Sequence, residues 1–251
     1  PLNFSGLVAM PADDISMDLK FNSPQTDFKY LMSLVPGAYK DNFKEVKTSG
    51  KLAFNGFVNG VYSEHTMPGF GINLTVDNGN FKYPSLPAAI NNVNLKLAVS
   101  NPDGEPDHTI INLSKAHAEL GAEPIDARLY VTTPVSNATF DAMLKGTVNL
   151  ANIKNYIPMD EPSLSGIFKS DLSISGNMNA VEQKQFEKIK AAGWMSLTAM
   201  NYKPKDGHTT KINEMKLSFN PRTVQLENLD AVVGKSDFRA KGVIDNLLGY
   251  Y

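Results

Sequence analysis

Alternation of apolar and polar residues is the feature that most constrains the fold of this chain. In the segment Phe70–Asn101, apolar side chains occupy every second position of two runs, as in strands with one apolar and one polar face. Asn78-Gly79 predicts a turn inside the segment, and the prolines at 84 and 87 interrupt it. The apolar residues should line one side of a sheet; the site candidates among them are Ile72, Leu74, Val93, Leu95 and Leu97.

The same pattern recurs after Trp194. Aligning Met195-Ser-Leu-Thr with Ile72-Asn-Leu-Thr brings five blocks of the two segments into the same order, and each segment ends in Asn-Pro. An internal repeat of roughly 115 to 120 residues is therefore predicted. The second copy adds four candidates to the same apolar face: Leu197, Met215, Leu217 and Phe219.

The repeat predicts an all-β, mainly antiparallel fold with a few short helices, built in four parts. These are an N-terminal β-hairpin and short helix (1–48), a first β repeat (49–134), a linking strand with a short helical turn (135–164), and a second β repeat (165–251). The sheet is expected to be elongated and curved, or a half-pipe, with a β-sandwich as the alternative.

Three segments carry helical rather than strand periodicity. Apolar residues between Phe28 and Val35 follow a potential N-cap at Asp27, and Leu150–Pro158 repeats that pattern before the second copy. Each of these two turns is expected either to plug the apolar groove or to pack as an ordinary core turn. Ala180–Ala192 is predicted to be an amphipathic helix that docks on the sheet and ends at Gly193. Further on, DAVVGKSDF predicts a tight turn with a positive φ at Gly234.

Composition excludes several classes of function. A formal net charge of -2 gives no electrostatic reason to bind nucleic acid, and the absence of cysteine excludes disulfides and thiolate metal sites. No apolar run approaches the roughly 20 residues that a spanning helix needs. Because the sequence begins with Pro1, we expect a segment of a longer protein, with any signal or anchor removed or lying upstream.

No catalytic or metal-binding constellation emerges from the sequence. The four histidines lack metal-ligand spacing, and no G-x-S-x-G elbow is present. The loop from Asp103 resembles a calcium loop only at its start, because His108 and Ser114 stand where an EF-hand needs Gly and Glu. The paired carboxylates Asp13-Asp14 and Asp160-Glu161 lie in turns beside prolines. We therefore expect no enzyme activity, no cofactor and no metal, and we attribute the four N-x-S/T triplets, at Asn3, Asn73, Asn112 and Asn137, to chance.

Two segments resemble the AsmA-like superfamily of Gram-negative envelope proteins: LTVDNGNFKYPSLPAAINNVNLKL and the later VQLENLDAVVGKSDFRAKGVI. The first matches the family's strand, Asn/Asp-Gly turn and YP-x-LP pattern. The second matches its L-x-x-L-x-A-x-x-G-x-S-D-F-x-x-x-G pattern, which the first copy keeps only in part. The resemblance implies a periplasmic protein, anchored to the inner membrane by a missing N-terminal helix, whose apolar groove handles phospholipid or another acyl lipid.

The expected function is therefore non-enzymatic lipid handling between the inner and outer membranes, with envelope proteins as further expected partners. A buried methylene contributes about 0.8 kcal/mol, so a partly buried acyl chain would bind without specific polar contacts. The first alternative is an interaction scaffold that pairs its sheet edges with partner strands. The second, an enzyme such as a glycan hydrolase, has no residues to support it.

Overall fold

The fold is one continuous meander of antiparallel strands. The computed structural model describes residues 2–10, 14–27, 46–157, 163–185, 188–204, 206–220 and 223–245. Within these ranges thirteen strands follow one another in chain order, and the curved sheet that they form does not close, so β1 and β13 are its edges. The strands are β1 Asn3–Ala9, β2 Ile15–Asp27, β3 Lys47–Tyr62, β4 Gly69–Lys82, β5 Ile90–Asn101, β6 Ile110–Leu120, β7 Glu123–Thr132, β8 Thr139–Asn149, β9 Ser163–Asn177, β10 Lys190–Lys203, β11 Thr210–Phe219, β12 Thr223–Val233 and β13 Ser236–Asp245.

The all-β prediction is confirmed, and every described strand belongs to a single layer. The chain therefore adopts the curved sheet and not the sandwich. The predicted N-terminal hairpin is present as β1 and β2, with Phe4 opposite Phe21 and Val8 opposite Met17.

Two tight hairpins contain a glycine with positive φ. Gly121 (φ 70°) begins the two-residue loop between β6 and β7, and Gly234 (φ 61°) begins the loop between β12 and β13. A glycine at the first loop position is typical of the turns whose twist matches that of paired strands. The positive φ predicted at Gly234 is thus confirmed.

The two halves of the sheet share their strand order. Strands β3 to β7 and β9 to β13 follow the same sequence of pairings, and Leu95 and Leu217 lie in the third strand of their respective halves. The register between strands differs, however. Leu74 lies opposite Leu97, whereas Leu197 lies opposite Met215, four residues before the aligned counterpart of Leu97, which is Phe219. The repeat therefore holds for strand order and for the apolar face, but not for every pairing.

The turn predicted at Asn78-Gly79 is wrong, because β4 continues through it. Asn78 has a φ of 50°, and Asn78 and Gly79 together oppose the single residue Gly50 of β3. This two-against-one arrangement is a β-bulge. Asn tolerates the left-handed conformation and Gly79 has no side chain, so the extra residue is accommodated while pairing continues.

The helix predicted at Ala180–Ala192 is also wrong in extent. The helix α1 covers only Met178–Glu182, and Lys190 already belongs to β10. Lys184 adopts a φ of 56°; its N–H donates to the Val181 carbonyl at 3.1 Å, and Gln185 N–H donates to the Ala180 carbonyl at 2.7 Å. These two bonds form a Schellman motif, which ends the helix without a glycine.

The helical turn predicted before the second repeat is present as a 3₁₀ helix, Leu150–Asn155, capped by the Asn149 side chain. Tyr156 follows it and is buried, and the Asn155 carbonyl accepts a 3.0 Å hydrogen bond from Ala88 N–H. This segment therefore packs against β9 and is joined to the β4–β5 loop by a backbone hydrogen bond. The other predicted turn, Phe28–Val35, lies outside the described residues. A further 3₁₀ turn covers Pro106–His108.

Candidate functional site

All nine predicted site residues lie on one face of the sheet, which we call the apolar face. Residues directly opposite each other in an antiparallel pair project to the same side. One row of such pairs runs from β3 to β12 without a polar side chain. Its members are Leu52, Val76, Leu95, Ala116, Ala127, Leu144, Leu172, Gly193, Phe219 and Val224.

Neighbouring rows bring the other candidates onto this face. Leu74 pairs with Leu97, which pairs with Leu113, and Ile72 pairs with Val99. Val93 lies opposite Gly79 at the bulge. In the second half, Leu197 pairs with Met215, and Leu217 lies between Met195 and Leu226.

The sequence-based prediction missed the middle of the apolar face. Leu129, Leu144 and Leu172, on β7, β8 and β9, join the two copies into one surface. The alternation of β7 and β8 was visible in the sequence. Their position between the copies, however, depends on strand order, which no local pattern fixes.

Few apolar residues of the described chain are fully buried. Apart from Pro68 and glycines, six are buried: Leu52, Phe54, Val76, Tyr156, Ala180 and Ala231. Most of the apolar face is half-buried, and Ile72 and Leu144 remain 37% and 40% exposed. A closed core would bury such residues almost completely. The apolar face is therefore open to solvent over much of its length.

Packing is densest in the first half of the sheet. Leu52, Phe54 and Val76 form a buried cluster, against which Leu74, Val93 and Leu95 pack. Phe21 meets Phe54 with ring centroids 6.3 Å apart. The candidates of the second half are half-buried and lie outside this cluster.

The apolar face is wide on the scale of a membrane. The uninterrupted apolar row covers ten strands, from β3 to β12, so nine steps of about 4.8 Å give roughly 43 Å measured along the sheet. The hydrocarbon core of a bilayer is about 30 Å thick. Both the length and the chemistry of this face would accommodate extended acyl chains.

The opposite face is polar and balanced in charge. A row of paired positions on it carries His117, Asp126, Lys145, Asp171 and Trp194. His117 Nδ1 lies 2.7 Å from Asp126 Oδ1, and Lys145 Nζ donates to Asp171 Oδ2 at 2.7 Å. The Asp171 carboxylate raises the pKa of Lys145. Lys145 and Asp171 thus form an ion pair on a solvated surface.

The carboxylates of the β5–β6 loop stabilise turns. Asp103 Oδ2 lies 2.6 Å from His108 Nδ1; the contact lowers the pKa of Asp103 and raises that of His108. Asp107 accepts hydrogen bonds from the N–H groups of Val135 and Ser136, at 3.0 and 2.9 Å, and its pKa is lowered by its bonds to Ser136. The Asp103–His108 contact lies within the β5–β6 loop, whereas the Asp107 hydrogen bonds connect that loop to the loop between β7 and β8.

No metal centre is formed by the described residues: no group of three or more His, Asp or Glu side chains is placed to hold an ion. Of the paired carboxylates, Asp13 and Asp160-Glu161 lie outside those residues. No helix in the described ranges has the length and hydropathy to cross a membrane.

Comparison of the chain with models of protein families, with curated proteins and with solved structures finds no match.

Proposed function

We propose that this chain binds the acyl chains of phospholipid on its apolar face and acts, without catalysis, in lipid handling between the inner and outer membranes. The observation that carries the proposal is a continuous apolar face across the sheet, much of it accessible in the described structure. The resemblance of two segments to AsmA-like proteins supports a periplasmic location and an inner-membrane anchor outside the given sequence.

The energetics favour an apolar chain as the ligand. Each methylene transferred from water to this face contributes about 0.8 kcal/mol when fully buried, and less at a half-buried surface. Eight partly buried methylenes would thus contribute several kcal/mol before the cost of ordering the chain. Because the row from Leu52 to Val224 has no polar side chain, the ligand could occupy many positions along it.

Native mass spectrometry of protein purified without detergent tests this proposal. Wild-type protein should retain phospholipid, and Leu97→Asp and Leu217→Asp should retain less, because each places a carboxylate on the apolar face. Leu97 is half-buried, so its replacement by Asp should cost a few tenths to about 2 kcal/mol without preventing folding.

Lys96→Asp is the matched control. Lys96 is exposed and lies opposite Thr75 and Lys115, on the polar face. Its replacement should leave lipid retention unchanged. Absence of lipid from wild-type protein, or equal retention by folded Leu97→Asp and Leu217→Asp, would contradict the proposal.

A second function, pairing of a sheet edge with a partner strand, is favoured by the exposure of β1. This edge strand has no charged residue, and Phe4, Leu7 and Val8 are 65%, 68% and 47% exposed. Natural edge strands usually carry charges that prevent such pairing. Edge pairing predicts concentration-dependent association of the isolated chain in sedimentation velocity, which Leu7→Lys combined with Val8→Lys should abolish. A chain that stays monomeric at all concentrations argues against it.

A further inference from the structure

A row of asparagines crosses the polar face on the first four strands. Asn3, Asn22, Asn55 and Asn73 lie directly opposite one another in β1, β2, β3 and β4, and we call them the asparagine row. Neighbouring strands are about 4.8 Å apart, so the four amides are presented at a regular interval. The line of paired positions continues through Ala98, Asn112 and Tyr130.

Two hydrogen bonds inside the row use one amide group, either nitrogen or oxygen, of each asparagine. Asn3 Nδ2 donates to Asn22 Oδ1 at 2.9 Å, and Asn73 Nδ2 donates to Asn55 Oδ1 at 3.0 Å. Within the described structure, the amide nitrogens of Asn22 and Asn55 and the amide oxygens of Asn3 and Asn73 have no protein partner. From β1 to β4, the unused groups are therefore an acceptor on Asn3, a donor on Asn22, a donor on Asn55 and an acceptor on Asn73.

An aromatic ring lies beside the asparagine row. Phe57 is two residues after Asn55, so it projects to the same face, and it is 39% exposed. Its Cα partner is Gly71, and a methyl group on Gly71 would lie only 2.6 Å from the ring carbon Cε1. The ring therefore lies against the backbone of Gly71, where any side chain would displace it.

The amides of the asparagine row and the ring of Phe57 border a shallow open pocket of about 360 Å³, which Lys20 also lines. Apart from this lysine, its lining side chains are uncharged. Strongly ionic ligands such as carboxylates and phosphates are usually bound by several charged side chains, often by the two parallel N–H groups of an arginine. A site with mainly neutral amides therefore suits a neutral ligand better.

We propose that the asparagine row and Phe57 form a binding site for a neutral, extended glycan that lies across strands β1 to β4. Sugar hydroxyls both donate and accept hydrogen bonds, so one ligand can satisfy the nitrogens of Asn22 and Asn55 and the oxygens of Asn3 and Asn73. The apolar C–H face of a pyranose ring can pack on the exposed ring of Phe57. The site lies on the opposite side of the sheet from the apolar face.

Titration of cellohexaose and chitohexaose into the purified full chain, followed by calorimetry, tests the proposal. Wild-type protein should bind at least one of these hexasaccharides saturably. Phe57→Leu keeps apolar bulk but removes the flat ring, and Asn55→Ala removes a central amide; each should weaken binding about tenfold. Gly71→Ala should weaken it as well, although it removes no ligand-contacting group, because the added methyl displaces the ring.

Lys115→Ala is the control, because Lys115 is exposed on the same face but outside the row. It should bind as wild type does, and Phe57→Tyr, which keeps the ring, should bind within a few-fold of wild type. Phe57→Leu should also retain phospholipid unchanged, which separates this site from the lipid proposal. Failure of wild type to bind either hexasaccharide, or unchanged binding by folded Phe57→Leu and Asn55→Ala, would overturn the inference and leave the asparagine row as a structural ladder.

Discussion

Leu95 in β5 and Phe219 in β11 lie on the same row of the apolar face, connected through one directly paired residue in each of the five intervening strands. The two residues belong to different copies of the internal repeat. The copies therefore do not form separate cores, because an apolar path without a polar side chain connects the two halves.

Truncation on the apolar face should have unequal costs in the two halves. Leu52 is 0% exposed inside the buried cluster, so Leu52→Ala should lower the free energy of unfolding by about 2–5 kcal/mol through lost burial and a cavity. Leu217 is half-buried outside that cluster, so Leu217→Ala should cost roughly 1 kcal/mol. Urea unfolding followed by circular dichroism measures both; equal costs would mean that packing is uniform along the sheet.

The sequence predicted those parts of the fold that depend on neighbouring residues in the chain. Alternation identified the strands and the apolar face, since a strand's two-residue period is local. At Asn78-Gly79 the local signal fits a turn and a bulge equally well, and the outcome depends on Gly50 in the adjacent strand. The end of α1 was missed because Lys184, and not a glycine, adopts the left-handed conformation.

The asparagine row on the polar face could not be predicted from the sequence either. Asn3, Asn73 and Asn112 lie in N-x-S/T triplets whose occurrence in the sequence fits chance, yet the register places all three on one line. Residues far apart in sequence align only when the pairing of each strand is known. Composition showed an asparagine-rich chain, whereas the row itself required the structure.

Asn101 should be far less tolerant of substitution than its repeat counterpart Asn220. Asn101 is 1% exposed and organises the β5–β6 loop: its Nδ2 donates to Glu105 O at 2.7 Å and to Thr109 Oγ1 at 2.9 Å, and its Oδ1 accepts from the N–H groups of Asp103 and Gly104 at 3.2 and 2.6 Å. Asn101→Ala removes all four bonds and should cost about 2–4 kcal/mol in the free energy of unfolding.

Asn220→Ala is the matched variant at an exposed position. Asn220 Oδ1 accepts from Thr223 N–H at 2.9 Å and its Nδ2 donates to Thr223 Oγ1, but water can replace both bonds at this exposed position. Asn220→Ala should therefore cost about 1 kcal/mol or less. Thermal unfolding of both variants at one pH compares them. Similar losses would show that the loop does not depend on the buried amide.

The Asp103–His108 contact should make a small contribution to stability that depends on pH. The pKa of His108 is raised from its ordinary value of 6.5, mainly by its hydrogen bond to Asp103, so this contribution is complete below 6.5 and disappears as pH rises through the folded-state pKa. The pKa of Asp103 is lowered from 3.8, so its contribution is present above 3.8 and is lost as pH falls through the lower folded-state value.

His108→Gln tests this pH window. The variant should be less stable than wild type at about pH 5.5, and the difference should shrink as pH rises towards about 8 through the raised pKa of His108. Urea unfolding midpoints at the two pH values measure the effect. A difference that grows towards pH 8 would contradict the assigned contact.

Gly234→Ala should destabilise the last hairpin, whereas Gly242→Ala should not. Gly234 has a φ of 61° and donates its N–H to Thr209 O at 3.0 Å, and an added Cβ would lie 2.7 Å from His208 Cδ2. Alanine there must adopt an unfavourable φ and displace the His208 ring, at a cost of about 1 kcal/mol or slightly more.

Gly242 lies within β13 and has no positive φ, and a Cβ added to it would meet no atom within 4 Å, so Gly242→Ala should be neutral or stabilise by up to about 1 kcal/mol. Urea midpoints for both variants give the comparison, and an equal shift in both would mean that the turn conformation contributes nothing specific to stability.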